Sequence, residues 1–220
     1  YSLNLDTEYC AQSIKIEDAQ FVYNIKSPVE SIDEVVLGLP GLHNVENSIA
    51  AVAIAQQVGI KSDVIKNALR SFSGVKRRFD YRFKSNEVTF IDDYAHHPEE
   101  IKATVSSLKK LYPSKKITGI FQPHLFSRTK SLLDEFAKCF IDADLVILLP
   151  IYYAREVDDG SVSSDLLSKQ IVENNVHSVV APSFVEAKSY IEKLDLKEGD
   201  VIVTMGAGEA NVVGQMLLGK

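Results

Sequence analysis

The segment Phe90-Ile-Asp-Asp-Tyr-Ala-His-His-Pro-Glu-Glu-Ile-Lys102 places two carboxylates, a phenol and two imidazoles within six consecutive residues. Strand-like residues 87–91 lead into this cluster. Pro98 and the two glutamates after it predict the first turn of a helix, where free N–H groups and the helix dipole favour anions. The cluster therefore lies where a strand ends and a helix begins, which is where ligands bind in α/β sheets.

Strand and helix patterns alternate from residue 79 to the end of the chain. The turn-forming pair Ser85-Asn86 predicts a hairpin of residues 79–84 and 87–91. The apolar segments Ile117–Phe121 and Leu145–Leu149 predict parallel strands buried on both faces. Further strands are predicted over 178–181 and 200–205, and helices over 98–111, 130–140, 163–174, 184–194 and from Ala207. This α/β alternation predicts a Rossmann-like, mostly parallel, doubly wound domain.

The first third of the chain has a different pattern. Three segments in which apolar and polar residues alternate predict antiparallel strands: 13–17, 19–25 and 31–37. Two helices are predicted after them, over 43–57 and over 63–71, the second with Ser62 as its N-cap. A basic run begins at Lys76. We therefore place a domain boundary between residues 74 and 75, which gives domains over 1–74 and 75–220.

Composition narrows the class of protein. The 220 residues carry a formal net charge of −6 and are 45% hydrophobic. These values are typical of a packed protein and argue against binding nucleic acid or an anionic membrane through bulk charge. No apolar segment of about 20 residues predicts membrane insertion. Cys10 and Cys139 are far apart and predict no disulfide framework, so we expect a reducing, cytoplasmic location.

Two polar groups outside the central cluster are suited to a nucleotide. Asn44 and Asn47 lie three residues apart at the start of a predicted helix, so both amides can present donor and acceptor edges to a purine. Asn44 acting as a helix N-cap explains the same pattern without a ligand. Arg77 and Arg78 suit a phosphate or a stacked base, although a solvated basic linker explains them equally well.

Another polar group follows the predicted strand Ile117–Phe121. His124 and Arg128 lie there in a segment that packing does not account for, and Arg128 suits bidentate binding of a carboxylate. An exposed loop at the entry to a helix is the alternative. The later turn Thr204-Met-Gly-Ala-Gly-Glu209 can receive an anion on free N–H groups, although it lacks the third glycine of a dinucleotide motif.

The central cluster does not predict a metal site. Asp92 and Asp93 are adjacent on an extended chain and so point to opposite sides. The same holds for His96 and His97 if they are extended, and their spacing matches no zinc pattern. A metal-dependent hydrolase that uses both histidines is an open alternative, which predicts tight stoichiometric binding of Zn²⁺ or Mn²⁺.

Five motifs in order resemble those of the Mur ligase family: Gly41-Leu-His-Asn-Val-Glu-Asn47, Val75-Lys-Arg-Arg-Phe79, Asp92-Asp-Tyr-Ala-His-His-Pro98, Phe121-Gln-Pro-His124 with Ser127-Arg-Thr129, and Met205-Gly-Ala-Gly208. Such ligases have a UDP-substrate domain, a central ATPase domain and a Rossmann-like carboxyl-terminal domain. The resemblance implies that residues 1–74 end the central domain and that 75–220 form the carboxyl-terminal one. The phosphate-binding loop G-x-x-x-x-G-K-[ST] is absent, so we expect these 220 residues alone to be inactive.

The resemblance also implies a reaction. It is strongest for members that join L-alanine to UDP-N-acetylmuramate in peptidoglycan synthesis. In that reaction the muramate carboxylate attacks the γ-phosphate of ATP, and the alanine amine then displaces phosphate from the acyl phosphate. The resemblance implies ATP and Mg²⁺ as cofactors, with the Mg²⁺ ligands mostly in amino-terminal residues outside this sequence.

Roles carry over to individual residues by motif. The resemblance implies that cofactor binding involves Asn44, Asn47, Arg78 and Asp93, with Asn47 on adenine and the last two near the ribose. It implies that substrate binding involves Tyr94, His97, His124 and Arg128, of which His124 and Arg128 are also expected to be catalytic. Leu125 stands where relatives often carry arginine, which leaves the carboxylate clamp and the amino-acid specificity open, and Glu209 replaces an expected aspartate.

Two other interpretations stay open beside this reaction. One is a ligase of the same family that recycles cell-wall tripeptide, although the motif Asp92-Asp-Tyr-Ala-His-His favours the alanine-adding members. The other is a noncatalytic module that binds a nucleotide or a protein, which predicts that ATP binds without a phosphate loop.

Overall fold

The computed structural model describes residues 1–3, 6–18, 20–39 and 41–219. The chain forms two compact units, Tyr1–Val75 and Lys76–Lys220, and each unit has its own sheet. Within the described residues, no helix is long and apolar enough to cross a membrane.

The first unit consists of a three-stranded antiparallel sheet and two helices. Its elements are β1 (Cys10–Glu17), β2 (Gln20–Lys26), β3 (Ile32–Leu37), α1 (Leu42–Gln57) and α2 (Ser62–Ser71), with the strands in the order β1-β2-β3. Phe21, Tyr23 and Ile25 alternate along β2 and are at most 1% exposed, so they form the buried face of this sheet. The predicted antiparallel strands are confirmed, apart from Ala19, which lies outside the described residues.

The helix starts in this unit differ from those predicted. Gly41 is the N-cap of α1 with φ +110°, a conformation that L side chains rarely adopt. Asn44 thus lies inside the helix, and its interpretation as an N-cap is wrong. Ser62 is the first residue of α2 and not its N-cap, which is Lys61. The Ser62 hydroxyl donates a hydrogen bond to the Glu30 carboxylate, so it makes no cap to its own helix.

The second unit is built on a six-stranded sheet. Its strands are β4 (Asp80–Lys84), β5 (Val88–Asp93), β6 (Ile117–Phe121), β7 (Leu145–Leu148), β8 (His177–Val180) and β9 (Asp200–Met205). Its helices are α3 (Pro98–Leu111), α4 (Phe126–Ser131), α5 (Leu133–Lys138), α6 (Ser164–Glu173), α7 (Phe184–Glu192) and α8 (Asn211–Leu217). The spatial order is β4-β5-β9-β6-β7-β8. The pair β4–β5 is antiparallel and the other neighbouring pairs are parallel, which confirms the predicted hairpin and the mostly parallel sheet.

The register of the central strands sets the position of the loops. β6, β7 and β9 are buried along their whole length, as expected for strands covered on both faces. The last residue of the last strand, Met205, pairs with Asp93 of β5 and with Phe121 of β6. Three strands therefore end at one level, and the loops that follow them are neighbours.

Two predicted helices differ in the structure. The single helix over 130–140 is wrong, because α4 and α5 are separated at Leu132, which has φ −117° and ψ 27°. The break lets Phe136 of α5 pack against Phe121, with ring centres 5.6 Å apart. The last helix begins at Asn211 and not at Ala207, because residues 206–210 form a turn that packs against β6 and its loop.

Candidate functional site

The loops after β5, β6, β7 and β9 meet at one edge of the six-stranded sheet. The rings of His96, after β5, and His124, after β6, lie 6.4 Å apart. His124 also forms a parallel bridge with Tyr152, which follows β7. The structure therefore brings together the cluster around Asp92–Pro98 and the segment that contains His124 and Arg128. This is the edge at which ligands bind in open parallel sheets.

Asp93, the last residue of β5, accepts three hydrogen bonds from its own unit. The donors are the N–H groups of Phe79 (3.2 Å) and Ala95 (2.9 Å) and the hydroxyl of Thr104 (3.1 Å). Burial raises the pKa of the Asp93 carboxyl, and the bonds from Ala95 and Thr104 oppose that rise. Asp93 thus joins the segment before β4 to the loop after β5. Its contact with a ribose stays a prediction.

Asp92 contacts a different group of residues, as expected for neighbours on a strand. Its carboxylate accepts a hydrogen bond from the Thr204 hydroxyl of β9 at 2.7 Å and lies 3.4 Å from Nε of Arg77. Burial raises the pKa of Asp92, and both Thr204 and the charge of Arg77 oppose the rise. Asp92 therefore links β5 to β9 from within the sheet.

Arg77 holds the turn after β9, a role that the sequence did not reveal. Its Nη2 donates to the carbonyl oxygens of Gly206 (2.8 Å) and Gly208 (3.1 Å). Of the two neighbouring arginines, the sequence motifs implied a cofactor-binding role for Arg78 only. Nothing local distinguishes the two, because the partners of Arg77 lie 129 and 131 residues further along the chain.

The turn after β9 is held by internal contacts. The N–H of Glu209 donates to Oε1 of Gln122 at 2.6 Å, and the N–H of Gly206 donates to the carbonyl of Asp93 at 3.3 Å. A Cβ at Gly208 would lie 2.4 Å from Oε1 of Gln122, so a larger residue there would displace the Gln122 side chain. These two N–H groups are thus unavailable to the anion that the sequence suggested for this turn.

Tyr94 lies beside two guanidinium groups and an imidazole. The Cζ atoms of Arg77 and Arg78 are 5.1 and 5.4 Å from the centre of its ring, within the range of cation–π attraction. The ring of His96 meets it edge-on at 5.3 Å. His97 occupies the N-cap position of α3 and is exposed, and its substrate-binding role stays a prediction.

His124 and Arg128 each have a buried nitrogen, Nδ1 and Nη1 respectively, without a hydrogen-bond partner in the described part of the chain. Burial and the positive charges of Arg128 and His96 lower the pKa of His124, so its imidazole is neutral at neutral pH. A buried donor left unpaired costs about 1–3 kcal/mol. A carboxylate bound to Arg128 would remove that cost, so this is the position where an anionic group fits best.

The loop after β7 fixes the geometry of His124. The ring of Tyr152 stacks on His124 at 5.3 Å with an interplanar angle of 20°, and the Tyr152 carbonyl accepts the N–H of Leu125 at 2.9 Å. Leu125 has φ +72°, which is strained for a residue with a Cβ. α4 begins immediately after it, so this strained backbone places Arg128 in the first turn of that helix.

A pocket of about 550 Å³ adjoins the stacked rings of His124 and Tyr152. Its walls include the aromatic rings of Tyr152, Tyr153 and Phe184, and Gln122 and Glu209 add polar atoms. The sheet edge therefore offers space for an apolar group next to Tyr152.

Asn44 and Asn47, on the first unit, lie side by side on α1. Nδ2 of Asn47 donates to Oδ1 of Asn44 at 3.4 Å. The exposed amide of Asn47 keeps its carbonyl oxygen and a second N–H for a ligand, and a purine edge pairs with one acceptor and one donor. Binding of adenine by this pair stays a prediction.

The described residues contain no group of three or more His, Cys, Asp and Glu side chains that could hold a metal ion. Nδ1 of His96 instead lies near two protein oxygens, the Tyr94 carbonyl and Oε2 of Glu100. The described residues therefore give the metal-hydrolase alternative no ligand set, and the Mg²⁺ that the resemblance implies stays a prediction.

Comparison with known proteins identifies the same family as the five sequence motifs. The sequence pattern of the family described as "Mur ligase, glutamate ligase domain" matches residues 77–208. The UDP-N-acetylmuramate--L-alanine ligase of Christiangramia forsetii is 41% identical over 207 residues, covering 94% of this chain and 44% of that protein. A ligase of the same name from Clostridium perfringens is 43% identical over 189 residues, covering 86% and 41%. The chain thus spans less than half the length of these relatives.

Solved structures give the same fold. The UDP-N-acetylmuramate-alanine ligase of Thermotoga maritima matches 98% of this chain and 46% of its own, with a TM-score of 0.80 and 25% identity. A folylpolyglutamate synthase of Mycobacterium tuberculosis matches 98% and 49%, with a TM-score of 0.72 and 16% identity, which is a likeness of fold alone. The α/β architecture predicted from the sequence is confirmed.

Proposed function

This chain belongs to the Mur ligase family, and we propose that it supplies the acceptor-binding part of an ATP-dependent ligase that joins L-alanine to UDP-N-acetylmuramate. Relatives of 41% and 43% identity carry that activity in their names. The observation on which the proposal rests is the pair of buried, unpartnered nitrogens of His124 and Arg128 at the carboxyl edge of the sheet. ATP and a UDP-linked substrate suit the cytoplasm, which we propose as its location.

Arg128 is proposed to bind the carboxylate of L-alanine. A guanidinium can donate two parallel hydrogen bonds to a carboxylate, and Nη1 of Arg128 has no competing acceptor within the described residues. Neutral His124 contributes a ring nitrogen without adding a second positive charge that would repel the alanine ammonium. Tyr94 and His97 are proposed to border the same substrate. Leu125 provides no second cation, so within the described residues Arg128 is the cation proposed to clamp the carboxylate.

The chemistry in this proposal is the formation and aminolysis of an acyl phosphate. The carboxylate of UDP-N-acetylmuramate attacks the γ-phosphate of ATP, and ADP leaves. The amine of L-alanine then attacks the carbonyl carbon of the acyl phosphate, the C–N bond forms and phosphate departs. Such a reaction depends mainly on holding the amine close to the carbonyl carbon, and binding of the alanine carboxylate by Arg128 serves that purpose.

The nucleotide is proposed to be shared between residues of this chain and a phosphate loop outside it. The amide pair of Asn44 and Asn47 suits the adenine edge, and the exposed Arg78 and the neighbouring Asp93 suit the ribose region. None of these residues forms a loop around the phosphates. We assign the phosphates and most of the Mg²⁺ ligands to residues beyond these 220.

A chimeric enzyme tests the proposal. It joins the amino-terminal part of the Christiangramia forsetii ligase to residues 1–220, and phosphate release is measured with ATP and UDP-N-acetylmuramate. We expect turnover that depends on L-alanine and exceeds that with L-serine, glycine or cell-wall tripeptide, and none from residues 1–220 alone. The complete Christiangramia ligase is the control. If it is active while the folded chimera shows no turnover with L-alanine, the proposal is wrong, and turnover with tripeptide instead would identify the recycling reaction.

A further inference from the structure

We propose that Nε2 of His96, oriented by Glu100, accepts the proton that the L-alanine ammonium must lose before it attacks the acyl phosphate. An ammonium has no lone pair, so aminolysis needs a proton acceptor near the amine. This inference rests on the proposed ligase function and assigns its proton transfer to one atom. From the sequence, His96 had a role only in the metal-hydrolase alternative.

Hydrogen bonding determines which nitrogen of His96 carries the hydrogen. Nδ1 lies 3.0 Å from the carbonyl oxygen of Tyr94 and 3.2 Å from Oε2 of Glu100. A carbonyl and an ionised carboxylate only accept hydrogen bonds, so Nδ1 must be the protonated nitrogen. The lone pair of the neutral ring is therefore on Nε2, which has no hydrogen-bond partner in the described ranges. His96 thus presents a basic nitrogen to the sheet edge.

Glu100 is itself fixed in place. Its Oε2 accepts the N–H groups of His96 (3.0 Å) and His97 (3.3 Å) at the start of α3, and its Oε1 lies 3.8 Å from Arg78. Burial acts to raise the pKa of Glu100, but these N–H groups and the charges of His96 and Arg78 outweigh it, so the pKa is lowered. The carboxylate is therefore ionised at neutral pH and can stabilise an imidazolium at His96, as the aspartate does in a Ser-His-Asp triad.

His124 is less suited to the same task. The ring of His124 is 6.4 Å from that of His96, but burial and the charge of Arg128 lower its pKa, and the opposing charge of Glu156 has the smallest effect. No carboxylate hydrogen-bonds to the His124 ring among the described residues. His96 has the Glu100 carboxylate 3.2 Å from its Nδ1, so the two neighbouring imidazoles divide the roles: His124 stays neutral beside the substrate carboxylate, and His96 takes the proton.

The step balances in atoms and charge. Nε2 of His96 takes one proton from the ammonium, and the freed amine lone pair forms the C–N bond at the carbonyl carbon. The C–O bond to phosphate breaks with its electron pair, and the departing phosphate takes the second nitrogen proton. The products are the amide, hydrogen phosphate and an imidazolium at His96 paired with Glu100, which returns its proton to water.

Hydroxylamine separates proton transfer from the rest of the reaction. It is largely unprotonated at neutral pH, so it converts an acyl phosphate to a hydroxamate without needing a base. In the chimeric enzyme we expect His96→Gln to lower turnover with L-alanine by about 100-fold or more and to leave hydroxamate formation within about threefold. Raising the pH should partly restore the L-alanine rate of the variant. Glu100→Gln should have a smaller effect of the same kind, and His177→Gln, at an exposed histidine of β8, should have none.

The experiment distinguishes a failure of the proposed ligase function from a failure of the role proposed for His96. If the unsubstituted chimera makes no hydroxamate with ATP and UDP-N-acetylmuramate, the ligase function itself is wrong. If it does, and His96→Gln lowers the rates with L-alanine and hydroxylamine equally, His96 only supports the fold and the inference is overturned. A second measurement needs no substitution: imidazole ¹⁵N shifts of the 220-residue chain should show His96 with its hydrogen on Nδ1. Protonation of Nε2 in the neutral ring would also overturn the inference.

Discussion

Arg128 gives the site its most direct test at the scale of single residues, because its Nη1 is buried without a partner in the described structure. A hydrogen bond to a charged group contributes about 1.5–3 kcal/mol. In the chimeric enzyme we therefore expect Arg128→Ala to raise KM for L-alanine by about 10–150-fold and to change KM for ATP by less than about threefold. Lys130→Ala, which removes an exposed cation from the same helix, is the control. An equal rise in both KM values would remove Arg128 from the amino-acid site.

Thr104 offers a second test at this scale, since its hydroxyl donates to the buried Asp93 carboxylate at 3.1 Å. Thr104→Val keeps the shape and removes the donor, so we expect a loss of about 1.5–3 kcal/mol of stability at pH 7, measured by urea unfolding. Thr118→Val is the control, because the buried Thr118 has no hydrogen bond from its hydroxyl within the described chain. A similar loss in both variants would contradict the assigned hydrogen bond.

The pH dependence of this effect follows from the pKa of Asp93. Burial raises it above the ordinary value of 3.8, so the folded protein binds the proton more tightly than the unfolded chain. The contribution of Asp93 to stability is therefore present at low pH and is lost as the pH rises through the raised pKa. The bond from Thr104 favours the ionised form. The loss of stability caused by Thr104→Val should therefore become smaller as the pH is lowered through the raised pKa of Asp93.

Arg77 acts at the scale of elements, because it connects β5 to the turn after β9 through Asp92, Gly206 and Gly208. Arg77→Met leaves the buried Asp92 without its counter-charge and the two carbonyls without their donor. We expect a loss of about 2–4 kcal/mol at pH 7, and a smaller loss where Asp92 is protonated. Arg78→Met should cost less than about 0.5 kcal/mol, because Arg78 is exposed. If urea unfolding shows that Arg77→Met and Arg78→Met lower the free energy of unfolding equally, the role assigned to Arg77 is wrong.

Local patterns predicted most elements of this protein. The helix over residues 98–111 agrees with α3 at both ends, and Pro98 and the acidic residues after it are the local signal for its start. The break at Leu132 carries no such signal. The packing of Phe136 against Phe121 accompanies the break, and this contact joins α5 to β6 rather than residues within one helix.

Part of the candidate site could also be selected from local patterns. His124 and Arg128 were found because polar residues at the end of an apolar strand lack a packing explanation. The contacts of Arg77 with the turn after β9 could not be found, because they depend on the position of β9 between β5 and β6. That strand order is a property of the whole sheet and leaves no trace in any one segment.

The division into two compact units is the feature that matters at the scale of the whole molecule. The second unit contains a core cluster of its own, to which Phe90, Ile120, Ile147, Ile202 and Val213 all contribute. Each parallel strand of its sheet pairs with neighbours from the same unit. Both observations indicate that the residues needed to form this core all lie after Val75.

We therefore predict that a polypeptide of residues 76–220 folds on its own. By the usual value of about 0.7 kcal/mol per residue near 60 °C, its thermal unfolding should be one cooperative transition with an enthalpy of about 100 kcal/mol, equal by calorimetry and by van't Hoff analysis. Phe90→Ala should lower its stability by about 3–5 kcal/mol, because that ring is 5% exposed in the core. A broad transition with strong dye binding to exposed apolar surface would show instead that the sheet needs residues 1–75 to pack.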